Sequence, residues 1–169
     1  MSKKILSCLV FYSCLLTLIA SLWGCDFFFS KHLASQHYDR IVDLVNRASA
    51  KVERLQKLHD QLANGQITPQ KVREEVVRLQ QQFSADKQAF LNEAPPSDFA
   101  EPYGLLGKWF DSADTTFTSF IYALDTVGTP YENTYYTYLA NAFNQQDQLM
   151  TQSRNAYTGK MRELGFNVQ

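Results

Sequence analysis

The sequence predicts an all-α protein, an up-down-up-down antiparallel four-helix bundle following an N-terminal lipoprotein signal peptide. Three observations predict the bundle. Apolar residues recur three and four apart through four long segments, the helical period. Turn formers gather at only three places, Asn64-Gly65 with Thr68-Pro69, Ala94-Pro95-Pro96-Ser97 and Gly128-Thr129-Pro130. No segment alternates apolar and polar residues with a period of two, as a half-buried strand would.

The first predicted helix runs over 32–63, with a core stripe of Ile41, Val45, Ala48, Val52, Leu55, His59 and Leu62. The second spans 69–93 and carries Val72, Val76, Leu79, Phe83, Asp86 and Phe90. The third begins near Pro102 and ends near Val127. Its stripe is rich in aromatics, including Tyr103, Phe110, Phe117 and Phe120. The fourth covers 130–164, with Tyr135, Leu139, Phe143, Gln146, Leu149, Ser153, Tyr157 and Met161 facing inward, and stops at Leu164-Gly165. Thr129-Pro130-Tyr131-Glu132 reads as a capping box, with Thr129 as N-cap. At 1.5 Å per residue such helices reach about 37 to 52 Å, and short connections between them favour antiparallel neighbours.

The N-terminus has a different character. Lys3 and Lys4 precede an apolar run from Ile5 to Trp23, the basic and hydrophobic regions of an export signal. The run closes in Leu22-Trp23-Gly24-Cys25, which resembles the lipobox of bacterial lipoproteins: an aliphatic residue, two mostly small residues, then cysteine. Leu22, Gly24 and Cys25 fit that pattern, while Trp23 is bulkier than its usual occupant. The resemblance covers about 25 residues and implies a chain divided into a signal peptide (1–24), a lipid-anchored tether (25–31) and a bundle domain (32–169). It implies a diacylglyceryl group on the Cys25 sulfur and cleavage between Gly24 and Cys25. The partner so implied is the membrane, held through acyl chains on Cys25, with Phe27, Phe28 and Phe29 adding interfacial contact. Asp26 resembles the enterobacterial signal for inner-membrane retention, so a Gram-negative host would keep the protein on the extracytoplasmic face of that membrane. The alternative is a structural spacer held by an uncleaved signal anchor, since the apolar run approaches the roughly 20 residues that span a bilayer.

Composition narrows the function. The chain has 169 residues, 16 basic and 17 acidic, a formal net charge of −1, so it lacks the basic footprint expected of a nucleic-acid partner. Cys8 and Cys14 lie within the signal, leaving Cys25 alone and the bundle to be held by its core. His32, His37 and His59 do not show metal-ligand spacing, and no nucleophile motif or phosphate-binding glycine loop is present. The expectation is therefore no catalytic residue, no metal and no cofactor. Gly104 and Gly107 are expected to let another backbone approach.

Two features carry the functional expectations. Residues 95–169 hold four basic and eight acidic side chains and 14 of the 23 aromatics. Low charge with peripheral aromatics is an interface trend, and Trp109, Tyr122 and Tyr136 are the candidate interaction surface for an envelope protein partner. The bland counterpart is a wide aromatic core. Asp86 and Gln146 fall at similar depth to the small residues Ala48 and Ala113, a candidate polar core layer. Its bland counterpart has Asp86 turning to solvent beside Lys87. The expected function is a non-catalytic protein-interaction or envelope-associated module; the alternative is small-molecule or lipid binding within the bundle.

Overall fold

A computed structural model describes the backbone of residues 3–168 and the side chains of residues 31–168. Four α-helices follow one another, α1 (Lys3–Ala63), α2 (Pro69–Leu91), α3 (Ala100–Ala123) and α4 (Glu132–Glu163), with one-turn 3-10 helices at Ser97–Phe99 and Leu124–Thr126. Among the described residues there is no strand. The chain divides into two compact units, Met1–His37 and Tyr38–Gln169. In the first, α1 begins at Lys3 rather than near 32, because no proline interrupts the chain before Pro69. Gln36 Nε2 lies 3.0 Å from His32 Nε2 one turn away.

The second unit is the bundle, and its cross-helix pairs show that the helices are antiparallel. Lys51–Asp86 and Arg54–Glu75 join α1 to α2, and Arg40–Glu93 joins α1 to the segment just after it, the second number falling as the first rises. Phe90–Tyr103 and Phe83–Phe117 between α2 and α3, and Arg73–Asp125 between α2 and the turn after α3, do the same, as do Phe99–Tyr157 and Thr116–Gln146 towards α4.

The ends are built locally. Gly65 (φ +66°) follows α1, and Gln66 N donates to Gln61 O at 2.8 Å while Gly65 N donates to Leu62 O at 3.0 Å. Gly165 (φ +80°) ends α4 in the same way, with Phe166 N on Met161 O and Gly165 N on Arg162 O. These six-to-one and five-to-two bonds satisfy carbonyls that the helix leaves open, and the left-handed residue they need is glycine. Thr68 caps α2, its Oγ1 accepting from Lys71 N at 3.5 Å with Pro69 in the first turn. The box expected at α4 is shifted by two residues. Tyr131 occupies the N-cap position, Thr129 Oγ1 accepts from Tyr131 N, and Glu132 Oε2 accepts from Gly128 N at 2.7 Å. Gly128 (φ +79°) draws the chain into a tight turn, so Glu132 reaches its amide instead of that of Thr129.

The α2 stripe is buried as expected, from Val72 to Phe90. In α1 the fully buried line is Ile41, Leu44, Ala48, Leu55, Leu58 and Leu62, whereas Val45, Val52 and His59 are half-buried. Leu44 and Leu58 turn α1 towards α2, where arginine and lysine meet acids. Gly104 and Gly107 do not admit a backbone. Nothing lies within 4 Å of a Cβ placed on Gly104, and one on Gly107 would meet the Phe90 ring at 3.7 Å.

The ion pairs make one acid-sensitive element. Arg54 Nε donates to Glu75 Oε1 at 2.7 Å, and this hydrogen bond, against the opposing effect of burial, holds the Glu75 carboxyl below the ordinary glutamate range. A carboxyl so depressed contributes stability above its unfolded-state pKa and loses it as pH falls through the folded-state value. Glu75→Gln is expected to cost about 0.5–1 kcal/mol near neutrality, the pair being partly exposed, and nothing once the Glu75 carboxyl is protonated in the folded and unfolded states alike. Thermal midpoints of wild type and variant should converge on acidification; a constant gap would show that the pair is not the cause.

Candidate functional site: an open seam between α1 and α4

α1 and α4 meet where the His59 ring lies 5.4 Å from Tyr136 and 5.8 Å from Phe143, and elsewhere leave space between them. Two adjoining hollows lie between them, with volumes of about 280 Å³ and 270 Å³, and share Met150 and Arg154 as a common wall. In the first hollow Ile41, Val42 and Val45 of α1 face Met150 and Tyr157 of α4 over Leu106 of α3. The second is more polar: Glu53 and Gln56 face Gln146, Asp147 and Arg154 over Trp109. The cause lies in the α1 pattern. A helix with two apolar stripes can bury only one completely against α2, and the Val45–Val52 stripe becomes the half-covered wall of the seam.

Gln146 is 1% exposed. Its Nε2 donates to Thr116 Oγ1, and Thr116 in turn donates to Ser112 O at 3.0 Å. This leaves Gln146 Oε1 buried with no hydrogen-bond partner. An unsatisfied buried acceptor costs roughly 1–3 kcal/mol. Arg154, Glu53 and Asp147 make no ion pair with one another or with another described residue, so the seam carries unspent charge of both signs. The seams of α2 differ, for there Lys87 meets Asp111 at 3.0 Å and Asp114 at 2.9 Å. Hydrogen bonds to these acids raise the Lys87 pKa although burial, the largest single influence, lowers it.

Asp86 and Gln146 are both buried, yet they serve different seams. Asp86 does not turn towards Lys87. Its Oδ2 accepts from Lys51 Nζ at 2.7 Å and its Oδ1 from Arg47 Nε at 3.3 Å, a satisfied charge cluster between α1 and α2. Ala48 and Ala113, both 0% exposed, are packed instead of opening a cavity between them. Gln146 borders the second hollow.

The expected aromatic surface separates in the same way. Trp109 is 2% exposed and packs against Phe83 at 6.0 Å and Phe110 at 4.8 Å, so it is a core residue and not a surface one. α3 is buried at Leu106, Trp109, Phe110, Ala113, Thr116 and Phe117, a face broad enough to include a residue flanking the expected stripe. Tyr136 is half-buried, edge-on to the His59 ring at 5.4 Å. Tyr122 alone of the three is fully a surface residue, at 64% exposure. Its companions are Tyr135, which the helical period places on the inward stripe but which is exposed, and Tyr138, which lies off that stripe. With Ser119 and Thr134 these tyrosines border a shallow hollow of about 300 Å³ with no charged lining. A sequence signal existed: residues 109–153 contain no lysine or arginine.

Cys25, the expected lipid-attachment residue, lies outside the residues whose side chains are described, as does the apolar run before it. Among the described residues no helix is long and apolar enough to cross a membrane, and no three histidine, cysteine or acidic side chains gather to hold a metal ion. The fold defines an all-α helical-bundle protein. No family model matches the chain, and no curated protein or solved structure matches it either.

Proposed function

We propose that the protein is a bacterial lipoprotein, anchored by acyl chains on Cys25 at the extracytoplasmic face of the cell membrane, whose helical bundle is a non-catalytic module for contact with an envelope protein. The observation that carries the reading is Lys3-Lys4, an apolar run and then Leu22-Trp23-Gly24-Cys25 ahead of a chain of quite different, amphipathic patterning. An acylated cysteine with two or three chains anchors stably where a single chain binds marginally. The tyrosine hollow of Tyr122, Tyr135 and Tyr138 supports the contact role. Tyrosine supplies large, rigid contact area with a polar tip and little conformational entropy to lose. Its uncharged surroundings reduce the desolvation cost of covering it.

The mass of the N-terminal tryptic peptide from the membrane fraction tests the anchor. A peptide beginning at diacylglyceryl-modified Cys25 is expected, and Cys25→Ser should yield unmodified chain with its apolar run retained. An unmodified peptide carrying Met1 or Ser2 in wild type would replace the lipoprotein with a signal-anchored protein. A photo-crosslinker at Tyr122 should capture one stoichiometric envelope protein. Capture unchanged by Tyr135→Ala and Tyr138→Ala would remove that face from the contact.

A further inference from the structure

The tyrosine hollow on the exposed face of α3 and α4 is set apart by what it leaves free. Tyr122 comes from α3 and Tyr135 and Tyr138 from α4, with Ser119 and Thr134 completing the lining. Among the described residues, none of the three rings pairs with another ring and none of the three hydroxyls has a hydrogen-bond partner. The two smaller hydroxyls are free as well. Thr115, Thr118 and Thr137 on the same helices donate to the carbonyl four residues before, which Ser119 and Thr134 do not. The hollow therefore presents aromatic faces and unspent hydroxyl oxygens, and no charge of its own. Its surroundings are one-sided. Between Lys108 and Arg154 the chain carries Asp111, Asp114, Asp125, Glu132 and Asp147 and no lysine or arginine. Lys87 and Arg73 of α2 offset the first three of these acids. Glu132, three residues before Tyr135, accepts from the Gly128 amide at 2.7 Å and meets no cation among the described residues.

Resting on the reading of this hollow as the contact face, we propose that it receives an arginine side chain of the protein partner. An anionic group would find no cation in the hollow and Glu132 beside it. A leucine or phenylalanine anchor would cover the free hydroxyls of Ser119 and Thr134 and leave them unpaired, which costs free energy once they are buried. A cation is drawn to the negative faces of the tyrosine rings, and no resident cation occupies them. Of the two cationic side chains, lysine brings a compact and strongly hydrated ammonium. The guanidinium is flat and more weakly hydrated, so it can lie on one ring while its fork of N–H groups donates to the hydroxyl oxygens around it. The space of about 300 Å³ admits one such side chain. Tyrosine and arginine are also enriched among the residues that dominate binding at protein interfaces.

The probe is N-acetyl-L-arginine N-methylamide, titrated at constant ionic strength into full-length protein carrying fluorotyrosine in lipid nanodiscs. Single tyrosine-to-phenylalanine variants assign the fluorine signals. Tyr122, Tyr135 and Tyr138 should shift together and saturably. Tyr131 is 67% exposed against 64% for Tyr122 but lies outside the hollow, so it is the internal control and should show no saturable shift. The citrulline analogue has nearly the same shape without the charge and should bind roughly threefold or more weakly, and the lysine analogue should also bind more weakly than arginine. Tyr138→Leu should weaken the response at Tyr122 by a similar factor, and Tyr138→Phe, which keeps the ring, by less. Tyr138 is exposed, so both variants leave the core intact. Absence of a saturable shift, an equal response at Tyr131 or equal binding by the citrulline analogue would overturn the proposal. If arginine fails while crosslinking at Tyr122 still captures a protein in a manner dependent on Tyr138, the contact stands and the arginine anchor falls. If arginine binds and no protein is captured, the choice of guanidinium stands and the envelope contact falls.

Discussion

Phe83→Ala is expected to destabilise the bundle by about 3–5 kcal/mol, the cost of removing a fully buried aromatic ring. Phe83 is 0% exposed and stands among Phe117 at 5.1 Å, Phe110 at 5.6 Å and Trp109 at 6.0 Å. The loss has two parts, the transfer free energy of the ring and the cavity left behind, because rings fixed on a neighbouring helix cannot collapse into it. Phe83→Leu keeps most of the volume and should cost about 1–1.5 kcal/mol. Urea unfolding followed by tryptophan fluorescence measures both, since Trp109 reports directly on the vacated space. A shift of the urea midpoint by more than about 1 M is expected for the alanine variant. A loss below about 1 kcal/mol would mean that α2 and α3 repack freely, contrary to a core built from interlocking rings.

Asp86→Ala is the second large effect. It would leave Lys51, whose side chain is only 17% exposed, with the Arg47 carbonyl at 2.9 Å as its remaining partner, while Arg47 keeps Asp43. Breaking a partly buried pair by removing one member strands the other charge, and a loss of about 2–3 kcal/mol is expected. Replacing both, as Lys51→Met with Asp86→Leu, removes the stranded charge and should recover most of that loss. The double-mutant cycle therefore predicts strong coupling between the two positions. Additive single effects would show that Lys51 reaches water in the variant and that the pair contributes little.

The behaviour of Asp86 shows how much of the candidate site was legible beforehand. The α2 period placed it on the buried face, and burial follows. Its partner was not legible, because Lys51 lies 35 residues away on another helix and nothing local distinguishes it from Lys87, the adjacent alternative. Lys87 turns instead to Asp111 and Asp114. Gln146 presents the same division. Its inward position follows from the fourth helical stripe, but the unpartnered oxygen arises only because Thr116 on α3 takes the amide nitrogen.

Trp109 marks the other boundary of sequence reasoning. A residue at the margin of an apolar stripe is on the surface when one neighbour covers the helix and inside when several do. α3 lies between α2 and α4, so the wider face is covered and Trp109 is core. Conversely, Val45 and Val52 sit squarely on an apolar stripe and remain half-exposed, because Leu44 and Leu58 claim the closer contact.

The sequence by itself determined the number of helices, their order, and the glycine stops at Gly65 and Gly165. These are properties of period, turn chemistry and local composition, each acting within a few residues. Only the tertiary structure decided which of two stripes on α1 is buried, which acid meets which base, and that a seam stays open beside Gln146. Those outcomes depend on how rigid helices of fixed width compete for the same faces, and that competition is settled between residues far apart in the chain.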